Sequence, residues 1–259
     1  MKVVILAGGL GSRISEESHL RPKPMIEIGG RPILWHIMKY YSEFGFNDFV
    51  ICAGYKQHII KEYFADYFLH SSDVTFDYRD GKQEMTVHST NAEPWCVTVA
   101  DTGLKTQTGG RIRRIRKYVG DEPFMLTYGD GVSNVDLNAL LKYHARVGGT
   151  VTLTGVNIAQ RFGVLDINDA GQVTEFREKN DADENAINGG FMVVEPDVFE
   201  EPLGDDEDFS KIALESLASK GKLTCYRHTG FWQPMDTQRD KQLLEKIWAS
   251  GDAPWKIWE

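Results

Sequence analysis

Few sequence features restrict a fold as much as a short, uninterrupted apolar strand that breaks into glycines at its carboxyl end. This chain opens on one, Lys2–Ala7 (KVVILA), followed by Gly8-Gly9-Leu10-Gly11-Ser12-Arg13. A run that is apolar at successive rather than alternate positions belongs in a sheet covered on both faces, which means parallel strands joined by helices. Pro32–Phe44 (PILWHIMKYYSEF) has proline at its start, apolar residues at helical spacing and Gly45 behind it, and so predicts a helix. Asp48–Gly54 returns as a strand and His58–His70 as a second helix. Strand–helix–strand–helix order predicts an α/β fold, a Rossmann-like doubly wound, mostly parallel sheet that binds ligands at the carboxyl ends of its strands.

From about residue 76 to 113 the order lapses into alternating residues around Asp80-Gly81, read as hairpins and so as a β-rich insertion. Pro123–Gly131 (PFMLTYGDG) is the next buried strand and Asp136–Gly149 the helix behind it. A second half begins with Thr150–Val156, continues as paired strands around Ala170-Gly171, and enters another strand through Gly189 and Gly190. The acidic run Glu200–Ser210 reads as a solvated loop before a helix. With no repeat or linker between the halves, the chain reads as one domain over 1–259. Its two halves are residues 1–150 and 151–259.

At 259 residues and 41% hydrophobic the chain has ample material for a core. A formal net charge of -9 argues against a nucleic-acid-binding surface, which needs a basic face, so an anionic ligand must be met locally. Three distant cysteines, Cys52, Cys96 and Cys225, suggest neither a disulfide framework nor a metal site, and no segment approaches a membrane span. The expectation is a cytoplasmic soluble protein with no nucleic-acid or membrane partner.

The chemistry gathers in four places. Glycines after a strand let backbone N–H groups approach phosphate oxygens, and Arg13 and Lys23 supply cations close by, Lys23 between two prolines that stiffen its backbone. The spacing fits neither the dinucleotide fingerprint nor the P-loop, and a plain strand-to-helix turn is the alternative. Asp130, in Tyr128-Gly129-Asp130-Gly131, suits Mg²⁺ held through a carboxylate with phosphate and water as further ligands, or it caps a turn. Asp236 suits the same metal or the N-cap of the helix after it. Glu178-Lys179 is by default a surface ion pair, and Asn188-Gly189-Gly190 either offers an amide to sugar hydroxyls or is a turn.

Taken jointly and in order, Leu6–Arg13, Pro22–Met25, Tyr128–Gly131 and Glu178-Lys179 resemble the marks of the sugar-1-phosphate nucleotidyltransferases. The match runs through essentially the whole chain, with Ser12 standing where many relatives have threonine and Asn180 where many have proline. Within that family the resemblance is to members that use CTP and α-D-glucose 1-phosphate to make CDP-glucose and pyrophosphate. It implies Mg²⁺ as cofactor on Asp130 and Asp236, and a catalytic set of Arg13, Lys23 and the same two acids. It also implies a nucleotide site formed by Leu6, Ala7, Gly8, Gly9, Gly11, Ser12, Arg13, Lys23, Thr106, Arg111 and Gly129. Tyr128, Glu178, Lys179, Asn188 and Gly189 would bind the sugar phosphate. Thr106 and Arg111 are expected to reach the nucleotide from the insertion, from the same or a neighbouring subunit, and the family implies a homo-oligomer. Rival readings are the same reaction with dTTP or UTP, and a non-catalytic sugar-nucleotide sensor, which would be expected to lack Lys23 or Asp130.

Overall fold

The computed structural model describes residues 1–157, 164–167, 173–177 and 186–259. Along the first strand, Lys2–Ala7, side chains alternate between two cores. Val3, Ile5 and Ala7 enter one apolar cluster, Val4 and Leu6 the other, and all five are buried. A strand buried on both faces forces helices onto both faces. Ile33–Glu43 and Leu137–Val147 cover one side, Thr108–Arg114 and Ala213–Ser219 the other.

From one edge the main sheet runs Cys96–Asp101, Asp48–Ala53, Lys2–Ala7, Phe124–Tyr128, Met192–Val194 and Val151–Val156. Leu223–His228 and Ile187–Asn188 both pair with Val151–Val156. The first four strands are mutually parallel. Met192–Val194 is antiparallel to both of its neighbours, so the sheet is mixed with a parallel centre, the doubly wound class expected. Val164–Ile167 and Val173–Arg177 pair antiparallel as the sequence suggests. The turn between them lies outside the described residues.

Two expectations are corrected. The stretch from 76 to 113 is not one β-rich insertion. Only Ser72–Asp77 and Glu84–Thr90 form a hairpin apart from the main sheet, turning through Arg79–Gly81. Cys96–Asp101 is an edge strand of the main sheet, and its alternating look reflects the partial exposure of an edge. Residues 108–114, in the same stretch, are helical, with Thr108–Arg111 as the first turn. The acidic run is not a solvated loop either, since Leu203 and Phe209 are buried and Asp205 pairs with both Arg113 and Arg114.

Cys52, Cys96 and Cys225 are free thiols. Among the described residues, no helix is long and apolar enough to cross a membrane.

Candidate active site at the carboxyl ends of the parallel strands

Parallel strands deliver their carboxyl ends to one side of a sheet, and here Lys2–Ala7 and Phe124–Tyr128 end beside a cavity of about 480 Å³. Gly129 extends the pairing, its N–H donating to the Leu6 carbonyl at 3.0 Å, and this brings Asp130 to the cavity wall. A β-carbon on Gly129 would stand 2.9 Å from that carbonyl, so the approach requires glycine. Trp232–Pro234 pairs antiparallel with Gly131–Ser133, and Met235 N–H donates to the Asp130 carbonyl at 2.8 Å. That short ladder carries Asp236 to the same wall, 106 positions later in the chain. The helix after Asp236 is capped by Thr237, whose side chain accepts from Asp240 N–H. Asp236 is therefore not the N-cap, one of the two roles the sequence left open.

Between the two acids stands Lys23, in a single 3-10 turn, Lys23–Met25, entered through Pro22 and Pro24. Its Nζ lies 2.7 Å from an Asp130 oxygen and 2.7 Å from an Asp236 oxygen. Burial works against the ammonium, but the two carboxylates outweigh it and raise the Lys23 pKa above its ordinary value. Two carboxylates converging on one cation form a hard-oxygen donor pair of the kind that holds Mg²⁺ together with phosphate and water. No group of three or more His, Cys, Asp or Glu suited to a metal occurs among the described residues, so the pair would share its ion with a ligand.

The glycine loop is held from beneath by Arg111. Its guanidinium, almost wholly buried, donates to the carbonyls of Gly8 at 3.0 Å and Gly103 at 2.8 Å and to the Thr102 hydroxyl at 2.8 Å. With a longer bond of 3.4 Å to the Ala53 carbonyl, it ties together the carboxyl ends of three parallel strands. A β-carbon on Gly8 would lie 2.1 Å from Arg111 Nη1, so this glycine answers to the arginine. A β-carbon on Gly9 would meet no protein atom within 4 Å. Gly11 turns the chain at a φ of +66°, and Ser12–Ile14 follow as a 3-10 turn.

At the far side, the Tyr128 hydroxyl lies 3.2 Å from Asn188 Nδ2, which donates to it, and 3.0 Å from Ser210 Oγ. Burial pushes the phenol above its ordinary pKa. Asn188 is oriented by Gly190 N–H donating to its Oδ1 at 3.0 Å, and Trp232 Nε1 donates to the Gly189 carbonyl at 2.8 Å.

Leu6, Ala7, Gly8, Gly9, Gly11 and Ser12 line the cavity together. So do Lys23, Thr106, Arg111, Tyr128, Gly129, Asp130 and Asp236, from four further parts of the chain. Asn188 joins them through Tyr128. The Arg13 side chain, Glu178 and Lys179 lie outside the described residues. Three cavity-lining residues were missed by the sequence reading: Pro24, Gln107 and Thr108. Gln107 and Thr108 follow Thr106 directly, but two glycines after them hid the helix that presents them.

The model of the nucleotidyl transferase family matches residues 2–245. The chain is 54% identical to the glucose-1-phosphate cytidylyltransferase of Salmonella typhimurium, over 100% of both chains. It is 43% identical to the probable glucose-1-phosphate cytidylyltransferase of Bacillus subtilis, again over 100% of both. Among solved structures, HddC from Yersinia pseudotuberculosis superposes with a TM-score of 0.67 at 24% identity, covering 95% of this chain and 99% of that one. At that identity the superposition speaks to the fold alone.

Proposed function

The chain belongs to the nucleotidyl transferase family, and from that premise we propose that it transfers the cytidylyl group of CTP to α-D-glucose 1-phosphate, giving CDP-glucose and pyrophosphate. The choice of nucleotide and sugar rests on the full-length 54% identity to an enzyme of that name. The chemistry rests on one observation, the convergence of Asp130 and Asp236 on the Lys23 ammonium beside a glycine loop.

No side-chain nucleophile is required. The sugar phosphate oxygen is anionic at neutral pH and attacks the α-phosphorus in line, forming a new P–O bond as the bond to the β-phosphate oxygen breaks and pyrophosphate leaves. The protein's work is to bring two polyanions together and to stabilise the charge gathering on the leaving group. Gly8, Gly9 and Gly11 admit the nucleotide to the backbone, with Leu6, Ala7, Ser12, Thr106 and Gly129 around it. Arg13 holds the outer phosphates. Lys23 neutralises the α-phosphate or the incoming sugar phosphate. Asp130 and Asp236 would hold Mg²⁺, which when bound supplies charge neutralisation and alignment of the phosphates. Tyr128, Glu178, Lys179, Asn188 and Gly189 form the sugar-phosphate subsite. The enzyme works in the cytoplasm as a homo-oligomer, a reading to be checked by sedimentation velocity.

Purified protein is incubated with Mg²⁺, glucose 1-phosphate and each of CTP, UTP, dTTP and ATP in turn, with pyrophosphate measured and the product identified by mass. CDP-glucose from CTP is the expected result, and Lys23→Ala and Asp130→Ala should each slow it roughly 10²- to 10³-fold. Folded protein that forms no sugar nucleotide from CTP would overturn the reading.

A further inference from the structure

The segment from Asp205 to Ser210 touches both ends of the cavity. At the nucleotide end it lies against the helix Thr108–Arg114. Gln107 N–H donates to the Asp205 carbonyl at 2.7 Å and Gly109 N–H to the Glu207 carbonyl at 2.9 Å. Thr108 Oγ1 accepts from Phe209 N–H at 2.7 Å. The fit is close enough to need two glycines in the helix. A β-carbon on Gly109 would stand 2.8 Å from the Glu207 carbonyl, and one on Gly110 2.7 Å from Asp205 Cα. Phe209 anchors the segment in the core.

The next residue, Ser210, reaches the other end. Its backbone is fixed by its own N–H donating to Asp208 Oδ1 at 2.9 Å, and its hydroxyl meets the Tyr128 hydroxyl at 3.0 Å. Tyr128 is the last residue of its strand, two positions before Asp130. A β-carbon on Gly190 would come within 3.1 Å of the tyrosine ring, so the ring packs on the 188–190 turn. Since Asn188 Nδ2 already donates to the phenol oxygen, the phenol's own proton is left to bond Ser210. Without Ser210 the phenol keeps one partner of two and is free to rotate its O–H away from the turn it supports.

We infer that Ser210 is a positioning residue of the sugar-phosphate subsite, acting through the Tyr128 hydroxyl and held in place by the segment that packs on the nucleotide-side helix. This rests on the proposed function. Nothing in the acidic sequence around Ser210 marks it, and its place is defined by what packs on either side.

The test is steady-state kinetics of wild type, Ser210→Ala, Ser210→Thr, Tyr128→Phe and the Ser210→Ala/Tyr128→Phe double variant, with thermal melting alongside. In Ser210→Ala the KM for glucose 1-phosphate should rise roughly five- to tenfold, the worth of one hydrogen bond, with the KM for CTP within twofold of wild type. Ser210→Thr should restore it. The double variant should be no worse than Tyr128→Phe, because the serine has no route to the subsite except the phenol. Additive losses, or an unchanged sugar-phosphate KM in Ser210→Ala, would overturn the inference while leaving CDP-glucose synthesis intact. Should Ser210→Ala fail to fold, Ser210→Cys, a weaker acceptor of similar size, is read in the same way. A wild type that makes no CDP-glucose overturns the reading and the inference together.

Discussion

A buried cation with no carboxylate paired to it among the described residues has to be satisfied by dipoles, and Arg111 shows how closely the chain must be tailored to do that. Its partners are the carbonyls of Gly8, Gly103 and, at 3.4 Å, Ala53, and the Thr102 hydroxyl, and burial lowers its pKa from the ordinary arginine value without threatening its charge. Gly54 is the residue on which this can be tested cleanly, because it does not line the cavity. A β-carbon there would stand 2.5 Å from Arg111 Nη1, 2.7 Å from the Gly103 carbonyl and 2.8 Å from the Gly8 carbonyl. Two of those three neighbours are backbone and cannot step aside. Gly54→Ala should therefore destabilise the protein by about 2 kcal/mol, as overpacking does, and weaken nucleotide binding by displacing the glycine loop. Urea unfolding and calorimetric CTP binding check the two effects. Loss of stability with CTP affinity retained would mean that the loop does not depend on the arginine. At this scale the sequence was legible where one residue type has one use. Lys23 between prolines and Asp130 between glycines stood out, whereas Gly54 and Ser210 acquire meaning only from neighbours distant in sequence.

Among elements, the hairpin Ser72–Asp77 with Glu84–Thr90 differs most from the rest. Its two strands pair with each other but with no strand of the main sheet, and every residue of the second strand is exposed. Phe76, Met85 and Val87 lie on one face, with Phe76 stacked on Tyr78 at 6.4 Å. A two-stranded ribbon of this kind gains little from burial, so it should open locally at low cost. Hydrogen exchange on the purified protein should show amides of residues 74–87 exchanging at least tenfold faster than those of Val3–Leu6 and Val50–Cys52. Equal protection would mean that the ribbon is buried against something in solution. The hairpin was readable from alternation and Asp80-Gly81, whose φ values of 57° and 68° suit the turn. The edge strand Cys96–Asp101 was not, because alternation is shared by hairpins and half-covered edges. The helix Thr108–Arg114 was hidden for an energetic reason. Two glycines lower its intrinsic propensity, and packing against Asp205–Ser210 makes up the loss.

At the scale of the whole molecule, the carboxyl-terminal tail returns to the helix Ile33–Glu43 and closes over His36. Trp255 is fully buried there, Trp248 meets the imidazole edge-on at 4.7 Å, and Trp35 meets it at 5.4 Å. His36 Nε2 donates to the Ile28 carbonyl at 2.8 Å, while Trp255 Nε1 donates to His36 Nδ1 at 3.4 Å. Those two bonds require the neutral ring, since a proton on Nδ1 would face the indole N–H. Burial accordingly lowers the His36 pKa from 6.5 to about 4. The unfolded chain binds this proton more readily than the folded one, so stability rises with pH across the interval. The contribution is complete above pH 6.5 and is lost as the pH falls towards 4, at about 1.4 kcal/mol per pH unit and about 3 kcal/mol in all. Urea unfolding at pH 6.5 and pH 5 should thus show a loss of about 2 kcal/mol from this residue in the wild type. His36→Gln, which keeps a donor for Ile28 but cannot titrate, should lose less than wild type by that amount. Carboxylates that also titrate below pH 5 contribute equally to both proteins and cancel in the comparison. Parallel slopes would assign the pH dependence elsewhere. The expected divergence would make this one imidazole the link between solution pH and the closure of the tail that follows the helix behind Asp236.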